Sequence, residues 1–192
     1  MKLKIIIPPK FSHRKEELMD FMRRYDPVLL LERFTSRKLK KKIIVRHKPI
    51  KMEAKFKNNI IYTDFNNKAS YIWLCICHEL AHIILENPAW YKNKDINKII
   101  KKHKERISKY KYTFKDAIEQ VLAILLQAAC ENKAEIRKLK WFEWESTFDY
   151  MGVKKLGKIF WKDWLEYLKN ISKYKNINEW ILKILKKIEN YE

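Results

Sequence analysis

The sequence has few of the residues that form cross-links and flexible linkers. Its 192 residues include three cysteines and two glycines. An odd number of cysteines does not describe a disulfide framework, and no low-complexity linker is present. The sequence contains no C-x-x-C pair, which argues against a structural zinc site closed by four Cys or His ligands. We therefore expect reduced thiols and a cytoplasmic protein.

Long apolar runs are also missing. Residues 2–7 are too short for the apolar core of a signal peptide and are followed directly by Pro8 and Pro9. The most apolar later run, residues 121–130, is interrupted by Gln127 and is far shorter than the roughly 20 residues that span a bilayer. We therefore expect no signal peptide, no transmembrane segment and no membrane partner.

Acidic residues are scarce relative to basic ones. The chain has 23 Asp+Glu against 43 Lys+Arg, which leaves a net charge of +20. Such a charge is compatible with nucleic acid as a partner. Enrichment in lysine and isoleucine also fits an AT-rich genome or a thermophile. We interpret the basic runs 37–42 and 98–111 first as solvated faces and second as binding surfaces, and the sequence does not indicate the oligomeric state.

One motif carries chemistry. Residues 78–82 read H-E-x-x-H within an apolar run. Histidines four residues apart lie one turn from each other on the same helix face, so His78 and His82 can both bind one Zn²⁺. Glu79 lies beside them, where a carboxylate can accept the proton of an attacking water. The alternative is a buried helix whose two histidines only find hydrogen-bond partners, and we favour the zinc site.

A catalytic zinc ion needs three protein ligands and one open position. The candidates for the third ligand are Glu131, Glu119 and His103. Glu131 is favoured because Glu135, four residues later on the same predicted helix face, could accept the spare N–H of a ligand histidine. Glu119 has Ala123 at the corresponding position, and His103 lies in a basic segment that would repel a cation.

Two cysteines, Cys77 and Cys130, neighbour proposed ligands in the sequence, and we interpret both as core residues.

The two motifs together resemble a known group of enzymes. H-E-L-A-H at 78–82, followed by E-x-x-A-E at 131–135, is similar to the gluzincin clan of zinc metallopeptidases, above all the minigluzincins of thermophilic archaea and more distantly the ImmA/IrrE-type peptidases. Metzincins are excluded, because Leu85 and Pro88 stand where their glycine and third histidine belong. The resemblance implies one catalytic Zn²⁺ bound by His78, His82 and Glu131, with Glu79 as general base and Glu135 supporting a ligand.

The implied function is zinc-dependent hydrolysis of peptide or protein substrates by an active or latent metalloendopeptidase. In such folds the strand before the active-site helix is a sheet edge that pairs with an extended substrate, and Ile60, Ile61, Tyr62 and Thr63 occupy that place. Candidate donors to the oxyanion are Tyr110, Tyr112, His103 and Tyr150. The alternative function is a basic nucleic-acid-binding or mobile-element regulatory protein with a zincin-like fold and little or no proteolytic activity.

The periodicity of apolar residues predicts an α+β fold in one domain, residues 1–192. We expect a small, mostly antiparallel sheet of three to four strands, packed on the active-site helix and the glutamate helix, and then an all-helical part. Predicted strands are 2–7, 42–46, 51–56 and 60–63. Predicted helices are 13–24, 27–34, 68–86, 96–107 and 114–140, with apolar stripes at 161–168 and 177–188. The tail, residues 141–192, either completes the core or covers the active site.

Overall fold

A computed structural model of the protein describes residues 2–49, 54–86, 90–102, 106–107 and 112–189. The strands are β1 (Leu3–Ile6), β2 (Ile43–His47), β3 (Lys55–Lys57), β4 (Ile60–Thr63), β5 (Arg106–Ile107) and β6 (Tyr112–Thr113). The helices are α1 (Ser12–Arg24), α2 (Pro27–Thr35), α3 (Ala69–Glu86), α4 (Lys94–Lys102), α5 (Phe114–Lys133), α6 (Trp141–Tyr150), α7 (Lys154–Lys169) and α8 (Ile177–Glu189). The predicted α+β class, with a sheet in the N-terminal half and a helical C-terminal part, is confirmed.

The main sheet is mixed, in the order β1-β2-β4-β3. β2 pairs in parallel with β1 and with β4, and only β3 and β4 are antiparallel. The prediction of a mostly antiparallel sheet therefore holds only for the β3–β4 pair, and the other two pairings are parallel. Parallel neighbours need a long crossover, and α1 and α2 supply it between β1 and β2. The β3–β4 hairpin turns through Asn58 and Asn59, whose positive φ angles of 51° and 62° are typical of a type I′ turn.

The position of β4 also corrects the predicted substrate edge. β4 lies between β2 and β3, so Ile60, Ile61, Tyr62 and Thr63 are an interior strand. Among the described residues, β3 is the edge on this side of the sheet and β1 is the opposite edge. Residues 51–53 of the strand predicted at 51–56 lie outside the described residues.

Helix α3 lies at the centre of the molecule. It packs against α1, α2 and α5, and the Trp73 indole N–H donates to the Tyr25 carbonyl at 2.8 Å. Helix α3 is long and apolar enough to span a membrane, but 56% of its 18 residues are buried inside the protein, as in a core helix. Helix α5 begins at a capping box formed by Thr113 and Asp116, which satisfies its first backbone N–H groups.

Two predicted helices end earlier than expected. Helix α5 stops at Lys133, and Glu135 beyond it has a left-handed backbone with φ of 57°. Within the predicted helix 96–107, residues 96–102 belong to α4 and residues 106–107 form β5, while residues 103–105 lie outside the described residues. Helix α6 lies in the tail that was predicted to be helical, although no apolar stripe was assigned to it.

The C-terminal helices share the core with α3. Helix α7 packs on α5, and α8 packs on α4. Trp164 and Trp180 are fully buried between them, and the Tyr167 hydroxyl donates to the Phe34 carbonyl at 2.7 Å. The Arg37 guanidinium donates to the Leu85 carbonyl at the end of α3 at 2.8 Å. The same guanidinium donates to the Asn178 side chain and so connects α3 to α8.

Candidate metal centre

The H-E-x-x-H motif lies on the half-buried face of α3. Seven residues of this helix are partly exposed: Ser70, Tyr71, Leu74, Cys75, His78, Glu79 and His82. Opposite them, the stretch of α5 from Ala117 to Glu131 is buried except at three half-buried positions: Glu119, Gln120 and Gln127. The two helices therefore meet along a narrow polar strip within an apolar interface.

The two histidines point their Nε2 atoms at each other. These atoms are 3.2 Å apart, and the two rings are inclined by 78°. The Nδ1 atom of His78 lies 3.0 Å from Oε1 of Gln127. The Nδ1 atom of His82 lies 3.2 Å from Oε1 of Glu119. The Nδ1 atom of each ring thus contacts a side chain of α5.

These contacts determine where the imidazole protons lie. The Gln127 amide nitrogen donates to Glu131 at 2.7 Å, so the Gln127 oxygen faces His78 and must accept from Nδ1–H. The Glu119 carboxylate likewise accepts from Nδ1–H of His82. A neutral imidazole has one proton, so when both rings are neutral each Nε2 atom carries a lone pair. Two lone pairs 3.2 Å apart repel each other unless a cation lies between them.

The spacing fits a metal ion. Two nitrogens at about 2.0–2.1 Å from a tetrahedral zinc ion are roughly 3.3 Å apart, close to the observed Nε2 separation. Burial, and then the proximity of His82, lower the pKa of His78 to about 3. His78 is therefore neutral at neutral pH, as a metal ligand must be. A proton shared between the rings is the competing way to relieve the repulsion.

Glu131 is connected to His78 through the Gln127 amide. Its side chain is fully buried, and Arg137 Nε lies 3.3 Å from its Oε2. Burial raises the pKa of Glu131, while the Arg137 charge and the Gln127 hydrogen bond act in the opposite direction. In this arrangement Glu131 orients the amide that orients His78. Its direct binding of a metal stays a prediction.

Gln127 itself was not among the residues predicted for the site. It is the one polar side chain in the apolar run 121–130 and follows Glu119 by eight residues, so both lie on one face of α5. Ala123 lies between them on that face and is fully buried, without a donor atom. Among the described residues no group of three or more His, Cys, Asp and Glu is arranged to hold a metal ion. The described residues therefore bring together two imidazole nitrogens, and each ring has one hydrogen-bond partner on α5.

The remaining residues predicted for the site either lie away from the two histidines or lie outside the described residues. Glu135 is exposed beyond the end of α5, so the shared helix face on which its supporting role was based is absent. His103 and Tyr110 lie outside the described residues. Tyr112 is half-buried in β6, and Tyr150 is exposed at the end of α6.

Two cysteines near the site, Cys75 and Cys77, have raised pKa values. Burial raises the pKa of Cys75 to about 11; a hydrogen bond with Thr63 opposes this shift and the nearby Glu79 charge adds to it. Cys77 and Cys130 are fully buried and hydrogen-bonded to each other, and burial raises the pKa of Cys77 well above its ordinary value. Their interpretation as core residues fits this burial.

Comparison with protein-family models, with curated proteins and with solved structures finds no match for this chain. The resemblance to gluzincins therefore rests on its two motifs alone.

Proposed function

We propose that this protein is a zinc-dependent peptidase in which His78 and His82 bind the metal and Glu79 is the general base. The observation that carries the proposal is the pair of histidine Nε2 atoms that face each other at 3.2 Å, while each Nδ1 atom has an acceptor on α5. When bound, zinc polarises a scissile carbonyl and lowers the pKa of a water to about 7.

The chain's own residues have distinct tasks in this proposal. Glu79 accepts the proton of the attacking water and passes it to the leaving amine. Glu119 and Gln127 hold the two imidazoles in the tautomer that leaves Nε2 free. The burial of α3 on most sides prevents the helix from turning and so maintains the separation of the two rings.

An extended substrate would pair with β3 rather than with β4. β3 is the edge strand next to β4, and β4 leads directly into α3. An exposed edge presents unpaired N–H and C=O groups, to which a peptide can add as a further strand.

Metal analysis of purified variants tests the site. We expect one Zn²⁺ per chain in the wild type and none in His78→Ala or His82→Ala. His13→Ala, a change at an exposed histidine of α1, is the control and should retain zinc. If the wild-type protein stays metal-free after dialysis against zinc, the proposal is overturned. A proton shared between the two rings would then explain the close approach of their Nε2 atoms.

The same variants support an activity test on a peptide library read by mass spectrometry. Glu79→Gln should keep zinc and lose at least about a hundredfold in hydrolysis, because an amide cannot accept the proton. Glu86→Gln, at the exposed end of the same helix, should cleave as the wild type does. Cleavage that survives in Glu79→Gln would show that Glu79 is not the base.

The third ligand is tested by zinc titration of Glu131→Ala, Glu119→Ala and His103→Ala. Loss of a ligand should abolish binding at micromolar zinc, whereas loss of a supporting partner should weaken it by about 10–100-fold. The variant that abolishes binding identifies the ligand.

A further inference from the structure

A concave site lies at the edge of the sheet opposite to β3. A cavity of about 690 Å³ opens between β1, α1 and α2. It does not include any residue of the histidine site. The inference that follows is therefore independent of the proposed metal chemistry.

Strand β1 offers unpaired backbone to this cavity. Among the described residues it pairs with β2 alone. The Lys2 carbonyl accepts from Ile43 N–H at 2.8 Å, so Lys2 directs its backbone groups toward β2. Backbone direction alternates along a strand, so Leu3 and Ile5 direct their N–H and C=O groups to the open edge.

The cavity wall is apolar. Met19 and Met22 of α1 and Leu29 of α2 line it together with Ile5. Leu29 is 63% exposed, although it stands on a helix whose other apolar side chains are largely buried. Methionine side chains are flexible, so they can pack against the apolar side chains of another protein that binds beside the open strand edge.

The charge that remains available at the rim is positive. Glu32 is neutralised within the protein, since it accepts from Lys2 at 2.6 Å and from Lys38 at 3.0 Å. Asp26 caps α2 by accepting from the backbone N–H of Val28 and Leu29. Lys4 and Arg23 are exposed at the rim of a protein with net charge +20, and Arg23 also lies 3.8 Å from the exposed Asp20 carboxylate.

We infer that the β1 edge and its cavity bind an extended acidic peptide segment of another protein, which adds to the sheet as a fifth strand. The outward groups of Leu3 and Ile5 pair with its backbone, its apolar side chains enter the cavity, and its carboxylates face Lys4 and Arg23. A second copy of this chain fits less well, because pairing two β1 edges would bring the exposed Lys4 side chains of two highly basic molecules together.

The probe for the test is a fluorescein-labelled heptapeptide in which glutamate alternates with valine and isoleucine. Fluorescence anisotropy should show saturable binding that weakens about tenfold in Leu29→Asp and in Lys4→Glu. The matched controls are Ile159→Asp, at an apolar residue of α7 that is 46% exposed, and Lys155→Glu, also on α7. Because each control makes the same charge change elsewhere, it should leave binding unchanged.

Amide NMR spectra locate the peptide. Leu3 and Ile5 amides should become protected from solvent exchange on binding, while Lys4 and Ile6 amides should not change in protection. The same peptide methylated at alternate backbone nitrogens should not bind. These results would establish strand addition at β1.

Four results would overturn the inference. The heptapeptide could fail to bind at millimolar concentration, or bind Leu29→Asp and Lys4→Glu as it binds the wild type. A polyglutamate peptide without apolar residues could bind equally well, which would show only general attraction to a basic surface. Sedimentation could reveal a dimer of the wild type that Leu29→Asp dissociates, which would make a second copy the occupant.

Discussion

Gln127 is the residue on which the proton position of His78 depends. Its amide has a defined orientation because Glu131 is a pure acceptor, and that orientation in turn makes His78 a donor at Nδ1. A carboxylate buried in the core is costly unless it has partners, and Arg137 with Gln127 supplies them. The buried Glu131 thus affects His78 indirectly, through the Gln127 amide.

Replacement of Gln127 by leucine should weaken zinc binding by about 10–100-fold without unfolding the protein, because His78 loses its supporting acceptor. Titration with zinc against a competing chelator measures this. Gln120→Leu on the same helix is the control, since no hydrogen bond from Gln120 to either histidine is present in the described structure. Equal zinc affinity in the two variants would contradict the supporting role of Gln127.

Glu32 provides a pH-dependent contribution to stability. Burial alone would raise the pKa of this carboxylate, but hydrogen bonds from Lys2, Lys38 and the Leu39 N–H outweigh burial and lower it below its ordinary value of 4.5. A lowered pKa in the folded state means that the stabilisation is present above about pH 4.5 and is lost as the pH falls through the folded-state pKa.

Urea denaturation should therefore show Glu32→Gln to be less stable than the wild type by about 1–3 kcal/mol at pH 7. This difference should shrink steadily below pH 4.5. Glu17→Gln, at an exposed carboxylate of α1, should show no such trend. A difference that stays constant from pH 7 to pH 3 would contradict the assignment.

At the scale of elements, the close approach of α6 and α7 depends on a residue without a side chain. Gly157 of α7 lies against the Phe148 ring, and a Cβ atom there would come within 2.7 Å of Phe148 Cγ. Phe148 in turn stacks on Trp141, with ring centroids 5.4 Å apart, so the ring has little room to move.

Gly157→Ala should accordingly destabilise the protein by about 1–3 kcal/mol, measured by thermal or urea unfolding. In an unobstructed helix the same change would stabilise by up to about 1 kcal/mol, because alanine is the better helix former. Lys158→Ala, at the next and exposed position, should stay within about 0.5 kcal/mol of the wild type. Stabilisation by Gly157→Ala would show that α6 and α7 do not pack this closely.

At the scale of the whole molecule, the C-terminal helices and the histidine site share one core. Helix α7 covers part of α5, and α5 carries the partners of both histidines. Arg37 connects the end of α3 to Asn178 of α8, and burial lowers the pKa of Arg37 to about 10, where the side chain is still charged at neutral pH. These contacts favour the core interpretation of the tail over the lid.

Truncation after residue 152 should give insoluble or unfolded protein, because it exposes apolar surface of α5 and removes the buried Trp164 and Trp180. Circular dichroism and size-exclusion chromatography measure this. Co-expression of residues 1–152 with residues 153–192 should restore soluble protein. A soluble fragment 1–152 with raised peptidase activity would show instead that the tail is a lid.

Local pattern alone determined the elements that carry the site. The four-residue spacing of His78 and His82 within an apolar run was sufficient to place both on one face of α3, because helix geometry is independent of the rest of the chain. The apolar stripes of α7 and α8 could be predicted from the sequence for the same reason. The early end of α5 was missed because residues 134–140 show no strong break such as proline or glycine.

The tertiary structure decided which partners these elements meet. Strand direction follows from the crossover through α1 and α2, so the parallel pairings and the interior position of β4 depend on contacts between residues far apart in the sequence. The rotation of α5 about its own axis is set by packing against α2, α3 and α7. That rotation brings Glu119 and Gln127 to the histidines and leaves Glu131 one hydrogen bond further away. A period of 3.6 residues identifies which face of a helix is buried, but only the assembled core determines which residue of that face touches the site.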